Sequence, residues 1–393
     1  MKILFALSRF PYPLMKGDKL RAFQQIKHLS KNHEIHLVAM GESTDMKYIS
    51  ELEDYCESIY LIDVPKVKHG WNLFKGYFSK IPYQVAYFRS SKYLNKVKET
   101  VENQKIDIVY TQLIRVVENI PFGLNTKYHL DYMDAMSSNI ERRFHHSKSH
   151  QRRFIKDEKE RLKIYEKEVS EKFDSLSAIS EPDAKVLEKI TGKKIDIVPN
   201  GVNEDFLTFE NHSSEKKYDI IFTGNMGYHP NIVAAEYLIK NILPNILEDY
   251  GPIKICLAGT NPSADVKKLA SENIEVTGFV DDLRPFLANS KLFVAPLFSG
   301  SGLQNKLLES MAMGIPSFTT RLANNALGAK DGSDLIVCND VMNFSKKIIA
   351  LLKNKEEADK IGQKGRQYIK ENFSWETFST QLELLLKNTV EKS

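Results

Sequence analysis

Short β-branched runs alternating with helical patterns, twice over, constrain this chain more than any other feature. In the first half "KILFALS", "EIHLVAM", "SIYLIDV", "IDIVYTQ", "KYHLDYMD", "SLSAIS" and "KIDIVPNG" read as strands. Between them lie segments such as "DKLRAFQQIKHLSKN", with apolar residues at helical spacing. A polar run from Asn203 to Tyr218 interrupts the pattern, which restarts with "DIIFTGN", "IKICLAGT", "IEVTGFV", "LFVAPLF", "IPSFTT" and "DLIVCND". Such alternation builds doubly wound parallel sheets. The expected architecture is therefore α/β, with two Rossmann-like domains at 1–202 and 218–372 and a linker at 203–217. A last helix, 373–393, is free to cross back to the first domain. A length of 393 residues suits two cores of this kind.

Composition narrows the function classes. Cys56, Cys256 and Cys338 are scattered and without metal-ligand spacing, which argues for a reducing compartment and against a disulfide framework or a zinc site. "MKILFALSRFPYP" has too short an apolar run for a signal peptide, and no run approaches the roughly 20 apolar residues that span a bilayer. The expectation is a cytoplasmic protein, peripheral at most to the inner face of the plasma membrane. Net charge is +4, but residues 64–105 hold nine basic residues against Glu99 and Glu102, interleaved with Trp71, Phe74, Tyr77, Phe78 and other aromatics. One reading is a surface for anionic lipid headgroups, or a groove for an anionic acceptor. The other is a helical hairpin that packs its aromatics inward and solvates its lysines. A nucleic-acid partner is not expected, because the basic excess is confined to one segment.

The stretch "FSGSGLQNKLLESMAMGIP", Phe298 to Pro316, carries the chemistry. A strand ("VAPLF") ending in small residues and opening a helix presents backbone N–H groups to an anion, helped by the helix dipole. The amides of Ser301, Gly302 and Leu303 would hold a phosphate, and Lys306 adds a point charge. Glu309, three residues on and on the same face, can accept from two vicinal hydroxyls such as those of a ribose. Together these suit a nucleoside diphosphate. The competing reading is a capped surface helix with Lys306 and Glu309 as a routine ion pair. No G-x-G-x-x-G, Walker A or D-x-D pattern occurs, so no metal and no bound cofactor are expected, the nucleotide sugar being a co-substrate.

This segment resembles the donor motif of family 4-like (group 1) glycosyltransferases with the GT-B fold, in which two Rossmann-like domains face each other across a cleft. Further segments resemble the family in order: "FPYPLMKGDKLRAF", "DYMDAMSS", "IVPNGVNEDF", "FTGNMGYHPNIVAAEYL" and "VTGFVDDLRPFLANSKLFVAPL". The nearest resemblance is to sugar transferases of exopolysaccharide and cell-surface glycan assembly. It implies retaining transfer from a nucleoside-diphosphate sugar, with UDP among the expected carriers, to a glycan or lipid-linked acceptor. Glu309 would then hold the ribose, Lys306 and the 301–303 amides the diphosphate, and Val280 the base through its backbone. Gly17, Gly224 and Asn225 would line the donor site. Asp134, at a strand's carboxyl end, would orient or deprotonate the acceptor hydroxyl, or else cap the following helix. Arg21 either reaches the cleft or is a solvated arginine at a helix start, and Arg284 is a candidate helper for the phosphates.

The sequence also departs from the family. Ser301 stands where many members have the first carboxylate of E-x7-E. "GNMGYHPN" replaces the usual Arg/Lys pair, with Asn225, His229 and Asn231 the polar side chains there. Two alternatives follow: a nucleotide-sugar epimerase of the same fold, and a sugar-nucleotide-binding protein without catalysis.

Overall fold

The computed structural model describes residues 1–14, 16–145, 149–210, 216–299 and 303–391. The chain divides into two compact units, Met1–Pro199 with Trp375–Ser393, and Asn200–Ser374. All thirteen expected strands form.

In the first unit these are β1 (Lys2–Leu7), β2 (Glu34–Met40), β3 (Ser58–Ile62), β4 (Ile108–Gln112), β5 (Lys127–Asp131), β6 (Ser175–Ala178) and β7 (Asp196–Ile197). They pair in parallel in the order β3-β2-β1-β4-β5-β6-β7. Pleat alternation sends Ile3, Phe5 and Leu7 to one face, against Phe23 and Ile26 of the Gly17–Leu29 helix and Leu382 and Leu386 of the Trp375–Glu391 helix. Leu4 and Ala6 go to the other, against Val97 and Val101 of the Ser91–Gln104 helix. Both faces are covered, which is why β1 reads as an unbroken apolar run.

Several local expectations are corrected. β5 stops at Asp131, so strand alternation does not extend to Asp134; Met133, at φ +61°, turns the chain away. After it come two helices, Met136–His145 and Ser149–Ser170, with 146–148 outside the described residues. In residues 64–105, Tyr83 and Tyr93 are buried, but Trp71, Phe74, Tyr77 and Phe78 are exposed. The inward-packed hairpin therefore does not hold for the Lys66–Tyr77 helix.

The second unit pairs β8 (Tyr218–Thr223), β9 (Ile255–Ala258), β10 (Ile274–Gly278), β11 (Ser290–Ala295), β12 (Ser317–Thr319) and β13 (Ile336–Val337) in the parallel order β10-β9-β8-β11-β12-β13. The order reverses between β8 and β11, and in open α/β sheets the carboxyl end of such a switch is a crevice that takes ligands.

Two glycine contacts shape this end of the sheet. Gly259, just after β9, sits at φ +143°, and a Cβ there would lie 1.8 Å from the Gly224 carbonyl oxygen. The two strand exits thus pack backbone against backbone. Behind the crevice, a Cβ on Gly362 would lie 2.1 Å from the Gly314 carbonyl oxygen. That close approach seats the Lys355–Asn372 helix against the end of the Asn305–Ala312 helix.

Candidate functional site

The switch point is lined by the exit of β8 (Gly224, Asn225) and by the exit of β11, which leads into the Asn305–Ala312 helix. β11 ends at Ala295, three residues earlier than "VAPLF" suggests, because Pro296 has no N–H to donate to the ladder. The helix likewise begins at Asn305, two residues late, after Gln304 in extended conformation; Leu303 before it is buried. Ser301 and Gly302, whose amides carry the anion-loop reading, lie outside the described residues.

Lys306 is in the helix's first turn. Its ammonium donates to Asn231 Oδ1 at 2.7 Å and to Gln304 Oε1 at 3.4 Å, and sits 5.6 Å from the centre of the Phe222 ring. Asn231, 3% exposed, also donates from Nδ2 to the Asn225 carbonyl at 2.9 Å, so one amide ties the lysine to the β8 exit. Asn225 closes its own turn by accepting from the Gly227 amide at 3.0 Å. A Cβ on Gly224 would come within 3.3 Å of Lys306 Cε. The structure thus brings Gly224, Asn225 and Lys306 together.

Glu309 shares the lysine's face but not its contact. The two make no N···O approach within 4.0 Å, which removes the routine ion-pair reading. Among the described residues no group hydrogen-bonds its carboxylate. Burial pushes Glu309 up to about 7, offset in part by the Lys306 charge. Burial likewise brings Lys306 down to about 8, with Glu309 pulling the other way. A cation and an anion held apart in a low-dielectric setting are each ready for an external partner of opposite polarity.

Val280 lies two residues beyond β10, and its backbone amide and carbonyl have no hydrogen-bond partner among the described residues. Arg284, by contrast, is committed locally. It pairs with Asp282 at 2.9 Å and Asp205 at 3.6 Å and stands 5.6 Å from the Phe209 ring.

In the first unit, Gly17 opens its helix in an exposed position. Around it are Lys16, lowered by burial and by Arg9, and Asp18, held low by Arg9 and Arg115 against its burial. Asp134 is half-buried in the loop between β5 and the Met136–His145 helix, two residues before that helix starts. For Arg21 the solvated reading is corrected. It is fully buried, neither solvated nor at the surface, with Nε 2.6 Å from Asp131 Oδ2. Tyr110 donates to the same oxygen at 2.5 Å, and His129 stacks on Tyr110 at 5.2 Å. This cluster is a polar core beneath the sheet's carboxyl end.

Sequence reasoning named Asn231 among the polar side chains of "GNMGYHPN" but gave it no role. Its one signal was a polar residue on the first turn of "HPNIVAAEY", where the neighbouring positions are apolar.

Known proteins supply an independent comparison. The profile of the family described as "Glycosyl transferases group 1" matches residues 217–354. An uncharacterized 44.6 kDa protein in the cps region of Klebsiella pneumoniae is 22% identical, over 95% of this chain and 96% of that protein. Sucrose-phosphate synthase from Thermosynechococcus elongatus superposes with a TM-score of 0.73 at 15% identity, over 100% of this chain and 99% of the other. Anabaena HepE in complex with UDP-glucose does so at 0.68 and 13%, over 99% and 100%. Residues 217–354 thus match the profile of the group 1 glycosyltransferases, and the two parallel-sheet domains have the GT-B fold.

Proposed function

We propose that the protein is a retaining glycosyltransferase that moves a sugar from a nucleoside-diphosphate sugar to a glycan or lipid-linked acceptor in cell-surface polysaccharide synthesis. The observation that carries this is the pair at the switch point. Lys306 is aimed by Asn231, and Glu309 is a carboxylate with no hydrogen-bond partner among the described residues. Lys306 neutralises the diphosphate, Glu309 accepts from the ribose hydroxyls, and the Val280 backbone pairs with the base. A uracil base is favoured, since the similar HepE structure holds UDP-glucose. The cps-region relative supports the surface-glycan role.

In the reaction, the bond from the anomeric carbon to the β-phosphate oxygen breaks and the diphosphate leaves with that electron pair. The acceptor oxygen bonds to the same face of the anomeric carbon, and its proton passes to the departing phosphate oxygen. Lys306 stabilises the charge that grows on the leaving group, and a fixed cation in a water-poor site does so without reorganising. Asp134 orients the acceptor hydroxyl. Catalysis needs no metal in this scheme, so a chelator should leave the rate unchanged.

The test is a thermal-shift and calorimetric screen against nucleoside diphosphates and their sugars, with Glu309→Ala in parallel. A shift of several degrees with one nucleotide, lost in the variant, supports the donor site and names the base. Turnover of the donor with no acceptor present would favour an epimerase. No shift with any nucleotide would sink the proposal.

A further inference from the structure

The Lys66–Tyr77 helix is built inside out. The face it turns to the protein is polar or small. His69 Nδ1 lies 2.8 Å from the Tyr87 carbonyl, and Asn72 donates to the Arg89 carbonyl at 2.9 Å. A Cβ on Gly76 would meet the Ala86 Cβ at 2.7 Å. Arg161, from the Ser149–Ser170 helix, then holds the helix end by donating to the Gly76 carbonyl at 2.8 Å. The opposite face carries an apolar stripe at i, i+4, i+7 and i+11: Val67 (73% exposed), Trp71 (61%), Phe74 (60%) and Phe78 (75%). Its rings meet one another at the surface. Trp71 meets Phe74 edge-on at 6.1 Å, and Phe74 meets Phe78 at 5.4 Å. An apolar patch of this continuity marks an interaction surface.

The charge around it selects the occupant. The helix has no acidic residue, and Lys75 and Lys80 are exposed beside the stripe. The stripe itself offers no side-chain hydrogen-bonding group beyond the Trp71 N–H, so it has little with which to fix the register of a protein partner. A bilayer asks only for apolar depth and for cations at headgroup level, where tryptophan is also favoured. No helix among the described residues is long and apolar enough to cross a membrane, so the contact would be peripheral.

We propose that the outer face of the Lys66–Tyr77 helix docks on an anionic bilayer. Trp71, Phe74 and Phe78 enter the acyl boundary, and Lys75 and Lys80 lie among the headgroups. The proposal is independent of the donor-site reading, and its assay contains no nucleotide.

The test uses the full chain with vesicles of phosphatidylcholine alone and of phosphatidylcholine mixed with phosphatidylglycerol. Trp71 and Trp375 are the chain's 2 tryptophans, and Trp375 is buried, so Trp375→Phe leaves Trp71 as sole reporter. The expected result is co-sedimentation with the mixed vesicles and a blue shift of Trp71 emission, both reduced by salt. Phe74→Ser with Phe78→Ser should cut partition about tenfold or more without lowering the melting temperature, since both rings are largely exposed. Lys75→Glu with Lys80→Glu should weaken binding to the mixed vesicles only. Absence of partition, equal binding to both vesicle types, or insensitivity to either double variant would overturn the proposal. So would a lipid-free dimer that the Phe74→Ser, Phe78→Ser variant disperses, which would assign the face to a second copy of the chain.

Discussion

Lys306 donates to Asn231 at 2.7 Å and not to Glu309, although Glu309 is its neighbour three residues along the same helix. The amide fixes where the ammonium points without neutralising it. Lys306→Ala should therefore lower kcat/KM about 100- to 1000-fold by removing leaving-group stabilisation. Asn231→Leu keeps the lysine but releases it, and a misplaced catalytic group costs on the order of 100-fold. The check is steady-state kinetics with the donor identified by the screen. Wild-type rates in Asn231→Leu would show that the hydrogen bond does no positioning.

Donor binding should be bell-shaped in pH. In the proposed donor site the diphosphate needs Lys306 charged, and the ribose hydroxyls need Glu309 ionised. Affinity should fall as pH drops below about 7, where Glu309 takes up a proton, and fall again as pH rises above about 8, where Lys306 loses one. Calorimetric titrations across this range read both limbs. Glu309→Gln should abolish the acidic limb and leave the alkaline one.

Gly259→Ala should destabilise the second domain by about 3 kcal/mol, combining a strained positive φ with overpacking against Gly224. Urea unfolding measures it. Because the clash pushes on the β8 exit, any folded fraction should also bind nucleotide more weakly. A variant of wild-type stability and affinity would mean that the two strand exits separate freely.

Arg21→Met should cost stability rather than substrate affinity. Removing one partner of a buried ion pair strands the other charge, here Asp131, at a typical cost of about 3–5 kcal/mol. Denaturant unfolding tests the stability loss, and KM for donor and acceptor, measured on the folded fraction, should be unchanged. An acceptor KM raised tenfold at unaltered stability would restore the surface role instead.

His129 predicts an acid-sensitive first domain. Burial holds its folded pKa down to about 4, whereas the unfolded chain titrates near 6.5. The unfolded state binds more protons between those values, so stability is full above pH 6.5 and is lost as pH falls toward 4, by about 3 kcal/mol. His129→Gln, compared with wild type across this window, should flatten that part of the stability–pH curve.

The sequence by itself determined the strands, their alternation with helices and hence both parallel sheets, because β-branched runs and helical spacing are local properties of the chain. It also marked Lys306 and Glu309, since three residues along a helix put two side chains on one face wherever that helix packs. Tertiary structure alone decided the rest. Arg21 looks like any helix-start arginine until a strand 110 residues later brings Asp131 to 2.6 Å. Asn231 gains meaning only when β8 and β11 become neighbours and set its helix beside Lys306. The stripe of Val67, Trp71, Phe74 and Phe78 has the period of a core-facing helix, yet His69, Asn72 and Gly76 win the inner face. Periodicity states which residues share a face, whereas the direction of that face is set by the hydrogen bonds and packing of segments distant in the chain.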